Sequence, residues 1–559
     1  MYRNLLMASA LLYYLGVNNP AIAQQQVDPS RTIEPVRPES SPLPELTPLT
    51  PPIRIEPQPL PSDPLTEIED KVLVREIAVI GSTVFSQQQL KEVTKPFINR
   101  TLTFEQLLSI RNAINNLYIS RGYATSEAFL PVQDFTSGRL QIQVIEGEIE
   151  SVEIRGLQRL KPSYVRSRLE AATKAPVSIP KLESALQLLQ LNPLFKSINA
   201  DLSTGSSPGR NVLVVNLQET PPLNGALVVD NKEPPSVGSI GGTAVLSYNN
   251  LLGIGDRING AVAITEGVNS YSFGYEVPIN PRNGTIGLRY SRGRNRVIEE
   301  PFAPLDITGR AQTFALDYRQ PVILTPQEEL AFGVSAQLRQ SRTFLFDDEP
   351  FSFTQGPENG ESKVSVLRLN TDWVKRNSNS VLAASSTISL GLGIFNATTN
   401  DMGTDGQFVS WQGQFQWLRA LNEEKDAVAI ARIVTQLTPN SLLPLEQFAI
   451  GGIDSVRGYR TNQAVASNGF FGSVEVRLPI VRPDSGFGLI QLTPFVDVGS
   501  VWGDDSAETL LSTGLGLRWQ LGNSFSAQID WGIPLISVND QGDSLQDSGI
   551  SFSLQVNPF

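Results

Sequence analysis

The chain of 559 residues contains no cysteine and no histidine. Without cysteine there is no disulfide framework, no thiolate nucleophile and no Cys-ligated zinc or iron–sulfur site. Without histidine, Ser-His-Asp and Cys-His nucleophilic sites, His metal sites and a His-based pH switch all drop out. An enzyme built on this chain would be left with carboxylate, lysine or tyrosine chemistry, and no compact nucleophile motif appears. A Gly-x-x-x-x-Gly-Lys-Ser/Thr phosphate loop is also missing. The expectation is therefore a non-enzyme with no cofactor and no metal. No stretch reaches 18 apolar residues, which excludes a transmembrane helix. The formal net charge of −12 argues against nucleic acid as a partner. Hydrophobic residues make up 40%, below the usual globular level, so a water-buried core throughout is not the natural reading.

What is present differs between the ends and the middle. Residues 1–23 look like a secretory signal: Arg3 supplies a positive start, Leu5 to Leu15 a short apolar stretch, and Ala21-Ile22-Ala23 a small-residue cleavage site. Residues 24–70 form a Pro-rich linker, with Pro42, Pro44, Pro48, Pro51, Pro52, Pro57, Pro59, Pro61 and Pro64. Proline fixes φ and removes N–H donors, so this segment reads as an extended spacer.

An internal repeat follows. Glu76-Ile77-Ala78-Val79-Ile80-Gly81 is echoed by Ser151-Val152-Glu153-Ile154-Arg155-Gly156. Leu140-Gln141-Ile142-Gln143-Val144-Ile145-Glu146 is echoed by Val212 to Glu219. The period of about 75 residues exceeds the common solenoid periods, so each unit is a small domain with its own core. Helical patterns lie between the strands. Leu107, Ile110, Ile114 and Leu117 form one stripe, opened by a Thr103–Gln106 capping box and closed at Gly122. Leu182, Leu186 and Leu189 form another, with Pro180 at the first helical position and Asn192-Pro193 as the stop. Each unit, 71–146 and 147–220, reads strand, helix, helix, strand, strand.

From 221 to 559 helical periods give way to period-two alternation, cut by turns rich in Gly, Asn, Asp and Pro. Leu515, Leu517 and Trp519 alternate with Gly516, Arg518 and Gln520; Phe525, Ile529, Trp531 and Ile533 with Ser526, Gln528 and Asp530. Phe552, Leu554 and Val556 alternate with Ser551, Ser553 and Gln555; Leu330, Phe332, Val334 and Leu338 with Gly333, Ser335, Gln337 and Arg339. A soluble sandwich would bury the apolar parity, and a transmembrane barrel would turn it to lipid around a polar lumen. Long polar residues in strand after strand favour the barrel. Sixteen candidate strands run from 224–232 to 548–557, an even number that suits closure. Trp411, Trp417, Trp502, Trp519 and Trp531 are candidates for interfacial girdles. The expected fold is two α+β modules followed by a 16-stranded antiparallel transmembrane β-barrel.

The sharpest motif follows the eleventh candidate strand: Gly451-Gly452-Ile453-Asp454-Ser455-Val456-Arg457-Gly458-Tyr459. By parity Glu475 and Arg477 point into the lumen on the next strand, and Phe495, Asp497 and Gly499 do so on the thirteenth. Arg457 offers a planar donor fork and Asp497 a matched acceptor. Gly458 allows a sharp tip, and Tyr459 is expected to pack on Phe495. Val456-Arg457-Gly458-Tyr459 resembles the sixth-loop signature of outer-membrane assembly factors and two-partner secretion transporters. Phe495-x-Asp497-x-Gly499 resembles its companion on the barrel wall, and the repeats resemble POTRA (polypeptide-transport-associated) domains. Two such domains before a 16-stranded barrel resemble the haemolysin secretion/activation transporters of the ShlB/FhaC/HecB type.

The resemblance implies an outer-membrane pore with periplasmic POTRA domains. It would bind an unfolded, adhesin- or haemolysin-like secreted protein and translocate it without ATP. The alternative within the superfamily is an insertase that folds other barrels; a passive porin is a third reading. The resemblance also implies contact with outer-membrane lipid, insertion by the barrel-assembly machinery and a monomeric state. Phe559 resembles the terminal aromatic that marks barrel proteins for insertion, one step out of phase with Phe552, Leu554 and Val556 across Pro558. Several relatives plug the pore with an N-terminal helix, which the Pro-rich segment here cannot form.

Overall fold

The computed structural model describes residues 53–55, 71–346, 348–401, 403–482, 486–503, 506–538 and 542–559. The signal segment 1–23 lies outside them, as does the linker 24–70 apart from Ile53–Ile55. Two compact units meet in sequence at Pro221/Pro222, with Leu252–Gly255 belonging to the N-terminal one.

The N-terminal unit contains strands β1 (Ile53–Ile55), β2 (Val72–Val74), β3 (Glu76–Ile80), β4 (Arg100–Leu102), β5 (Glu127–Phe129) and β6 (Arg139–Ile145), with helices α1 (Gln87–Thr94) and α2 (Phe104–Ser120). It continues with β7 (Glu148–Arg155), α3 (Pro162–Leu169), α4 (Ile179–Gln190), β8 (Phe195–Thr204) and β9 (Arg210–Glu219). Helix α2 starts where Thr103 and Gln106 satisfy each other's amides, at 3.0 and 3.4 Å, and ends before Gly122 at φ 83°. It buries Leu107, Ile110, Ile114 and Tyr118. Tyr118 therefore takes the fourth place on the buried stripe; Leu117 is only partly covered. Ser178 stands immediately before helix α4 without a side-chain capping bond, which puts Pro180 at the helix's second position and not its first. Each helix pair covers one face of a sheet, ordered β3-β6-β5 in the first module and β1-β8-β9-β7 in the second. The extra strand β1 comes from the Pro-rich segment and lies parallel on the edge of β8.

The internal repeat has a physical cause. Gly81 (φ 88°) and Gly156 (φ 89°) each turn the chain where a Cβ would strike a backbone oxygen, at 2.3 Å from Val144 and 2.0 Å from Leu217. The carboxylate ending the last strand of each module then clamps the turn. Glu146 accepts from the amides of Thr83 at 2.7 Å and Val84 at 2.9 Å. Glu219 accepts from those of Gln158, Arg159 and Leu160 at 2.9 to 3.1 Å. Burial pushes both carboxyls up, but these hydrogen bonds outweigh it and hold both below the usual range.

Sixteen antiparallel strands close into the barrel, the first (Leu223–Asp230) pairing with the last (Ile550–Val556). A two-residue strand, Glu349–Pro350, adds to the end of the seventh. The parity test decides what solvent the wall faces. Leu515, Leu517, Ile529, Trp531, Ile533, Leu554 and Val556 are exposed, while Ser512, Asp530 and Ser551 on the opposite parity are buried. This inversion of a water-soluble protein is what a lipid-facing wall requires. Trp411, Trp502, Trp519 and Trp531 are exposed on that surface, and Trp417 is half-buried.

Candidate functional site

The eleventh strand (Val428–Leu437) and the twelfth (Asn468–Val481) are joined by a long loop that folds on the inner surface of the wall. Its composition explains why. Leu442, Leu443, Leu445, Phe448, Ala449 and Ile450 form an apolar run that water would not solvate, and all six are buried. A short hairpin, Phe448–Ile450 against Ala464–Ala466, stiffens it. Phe448, Ile450, Val456, Tyr459, Ala464 and Ala466 pack with Val434, Phe471, Val501 and Leu510 from four neighbouring strands.

Arg457 stands at the tip. Its Nε and Nη2 donate to the two oxygens of Asp497 at 2.8 and 2.9 Å, and its backbone amide donates to the same carboxylate at 3.1 Å. Nη1 donates to Glu475 at 2.7 Å, and Ser473 Oγ donates to Asp497 at 2.6 Å. The guanidinium carbon sits 3.5 Å over the Phe495 ring centroid. Asp497 lies on the thirteenth strand (Leu489–Gly503), where Ser473 is its direct register partner and Glu475 is that of Phe495. Glu475 also accepts from Arg477 Nε at 2.8 Å and lies 3.4 Å from Arg518. Asp530 on the fifteenth strand (Phe525–Pro534) lies 3.8 Å from Arg457 Nη1. Three carboxylates thus share three guanidiniums, and a polar cavity of about 420 Å³ borders the group.

Small residues make the approach possible. Gly458 has φ 93°, and a Cβ on it would meet the backbone of Gly532 at 2.8 Å. Reciprocally, a Cβ on Gly532 would meet Gly458 N at 2.5 Å. Gly499 leaves room for Val456, and Gly514 for the Phe495 ring. The expected packing of Tyr459 on Phe495 is corrected here. Arg457 takes that ring, because the fork to Asp497 runs along the strand that carries it. Tyr459 enters the apolar cluster instead, its hydroxyl 2.8 Å from the carbonyl oxygens of Leu511 and Ile536. Phe559 lies beyond the last strand, exposed and apart from the loop.

Sequence reasoning missed two further fastenings. Glu446, buried in the stem of the loop, accepts from Arg339 at 2.8 Å on the seventh strand (Glu328–Leu345) and from Arg368 at 2.7 Å on the eighth (Glu361–Arg376). Arg460 donates to Asp547 at 2.6 and 3.0 Å and to Glu299 at 2.9 and 3.2 Å. The available signal was the apolar run 442–450, out of place in a loop facing water, with one acid inside it.

A family model described as "Haemolysin secretion/activation protein ShlB/FhaC/HecB" matches residues 209–519, more than half of the chain. One described as "POTRA domain, ShlB-type" matches residues 72–147. The outer membrane transporter CdiB of Dickeya dadantii is 24% identical over 485 residues, covering 83% of this chain and 82% of that one. The heme/hemopexin transporter protein HuxB of Haemophilus influenzae is 22% identical over 491 residues, covering 82% of each. The solved structure of CdiB from Escherichia coli superposes with a TM-score of 0.69 at 19% identity, over 99% of this chain and 97% of that one.

Proposed function

We propose that this chain, which belongs to the haemolysin secretion/activation family of ShlB/FhaC/HecB type, binds an unfolded secreted protein in the periplasm and passes it through its lumen without ATP. It is an outer-membrane protein with its POTRA region on the periplasmic side. In this reading 1–23 direct export, 24–70 are a spacer, 71–146 and 147–220 are two POTRA units, and 221–559 are the pore. The observation that carries it is the loop held inside the barrel by the Arg457–Asp497 fork. A passive pore needs no such device, whereas a conduit for a polypeptide needs an obstruction with a defined release. The client would be recognised by β-augmentation. The second module shows that such a sheet takes an extended segment, since β8 pairs with Ile53–Ile55 of this same chain; the first module's sheet, β3-β6-β5, ends in the edge strands β3 and β5 as the client's docking edges. With no nucleotide in the periplasm, progress would come from folding of the client outside. The client would be adhesin- or haemolysin-like, the pore would act as a monomer, and the barrel-assembly machinery would insert it.

Comparative proteomics of the medium and cell surface, with and without the gene, tests this. Loss of one large exported protein with other barrels at normal levels is the expected result. A broad fall in outer-membrane barrels would indicate an insertase instead, and no change in either would indicate a porin.

A further inference from the structure

We propose that the lipid-facing side of barrel strands four to eight, at the cell-surface end, is a binding site for the phosphate-bearing headgroups of outer-leaflet lipid, with Arg292 and Arg294 as its principal donors. The strands concerned are the fourth (Val268–Pro278), fifth (Thr285–Arg296) and sixth (Thr308–Leu324), followed by the seventh and eighth. Their register aligns outward residues into rungs. The lowest is Tyr275, Leu288, Leu316, Ala336 and Leu367. Above it come Phe273, Tyr290, Phe314 and Leu338, then Tyr271, Arg292, Gln312, Gln340 and Lys363. The next rung is Asn269, Arg294, Arg310, Arg342 and Glu361. Aliphatic belt, aromatic collar and cations therefore follow one another along the same exposed face, the order in which hydrocarbon, interface and headgroups follow one another in a leaflet. Arg289 on the other parity of the fifth strand points inward and pairs with Asp317 at 2.7 Å.

Two features separate this patch from a merely solvated rim. Arg294, Arg310 and Arg342 are direct register partners across three strands, and like charges placed opposite one another destabilise a sheet unless something neutralises them. The protein supplies only part of that charge. Arg296 pairs with Asp306, Arg310 with Asp348 and Lys363 with Glu361, whereas Arg292 and Arg294 have no ion-pair or hydrogen-bond partner among the described residues. Among those residues, no other strand presents lysine or arginine outward at this end, in a chain of net charge −12. A headgroup phosphate matches the need: it is anionic, sits at this height, and takes guanidinium forks bidentately.

The test uses the full-length protein in detergent and bisphosphorylated lipid A as the probe, with bound lipid measured by mass spectrometry. R292Q/R294Q should lower the affinity about fivefold for each arginine removed, while R289Q, on the same strand but facing the lumen, should leave it unchanged. Removing both phosphates from the lipid should reproduce the double variant's loss. The single variants R292Q and R294Q carry the test if the double variant fails to assemble. Equal affinity of the wild type and the variants would overturn the proposal. So would displacement of the lipid by an equal concentration of inorganic phosphate, which would mark an anion site with no lipid preference.

Discussion

Arg457 illustrates how much one side chain can be asked to hold. Asp497 is fully buried, and Arg457 and Glu475 nearly so; removing the cation takes the guanidinium fork from Asp497, while Glu475 keeps Arg477 and Arg518. Arg457→Ala should still give a closed barrel, because the strand ladders do not pass through the loop, but should lose about 3–5 kcal/mol of stability in the loop-bound state and cut secretion. Heat-modifiable mobility on gels and secretion assays check the two halves of that statement; normal secretion by a well-folded variant would remove the lock from the mechanism. Glu446→Gln should act separately, leaving Arg339 and Arg368 side by side without their shared anion. Its signature is more frequent transitions to a larger conductance in planar bilayers, with the Arg457 contacts intact. The Arg457 pairing was legible because both motifs are compact and Asp497 stands on the lumenal parity of its strand. The Glu446 pairing was not, since its partners lie far back in the chain and each is an ordinary lumenal arginine by sequence.

Among the elements, the clamped turns of the two modules answer to pH. Both Glu146 and Glu219 titrate below the ordinary glutamate value in the folded state. Their contribution is therefore fully present above the unfolded value, about 4.3, and is lost as pH falls through the lower folded one. Glu219→Gln should remove about 1–2 kcal/mol at neutral pH and flatten that acid limb. Hydrogen exchange at 158–160 should rise while exchange at 83–84 stays unchanged; a uniform rise in both would show that the clamps are not local. The repeat was readable in the sequence because the glycine and the glutamate are both conspicuous, although why they recur together needed the turn itself. Strand positions were readable from alternation, but strand lengths were not. The fourteenth strand extends back to Ser506, past the expected 510, because above the lipid belt neither face must be apolar and Ala507-Glu508-Thr509 carries no period.

For the molecule as a whole, the division of labour predicts that deleting 72–146 abolishes binding of an N-terminal client fragment to the purified protein while the barrel still assembles. Unchanged binding would move the docking surface to the second module or the pore. The alternation of residues 221–559, with long polar residues on one parity in strand after strand, made the architecture legible in the sequence, and the structure shows the apolar parity to be the exposed one. The fastening of the loop's stem was not legible, because the apolar run 442–450 signals burial without saying which strands it packs against. The contact between Gly458 and Gly532 has a consequence for how such a chain can evolve. Most tight contacts tolerate change because one partner can shrink when the other grows. Here both partners already lack a side chain, so no compensating substitution exists at either position. A lineage that enlarges one of them must abandon the placement of the loop tip altogether, which makes this pair a place where neutral drift stops.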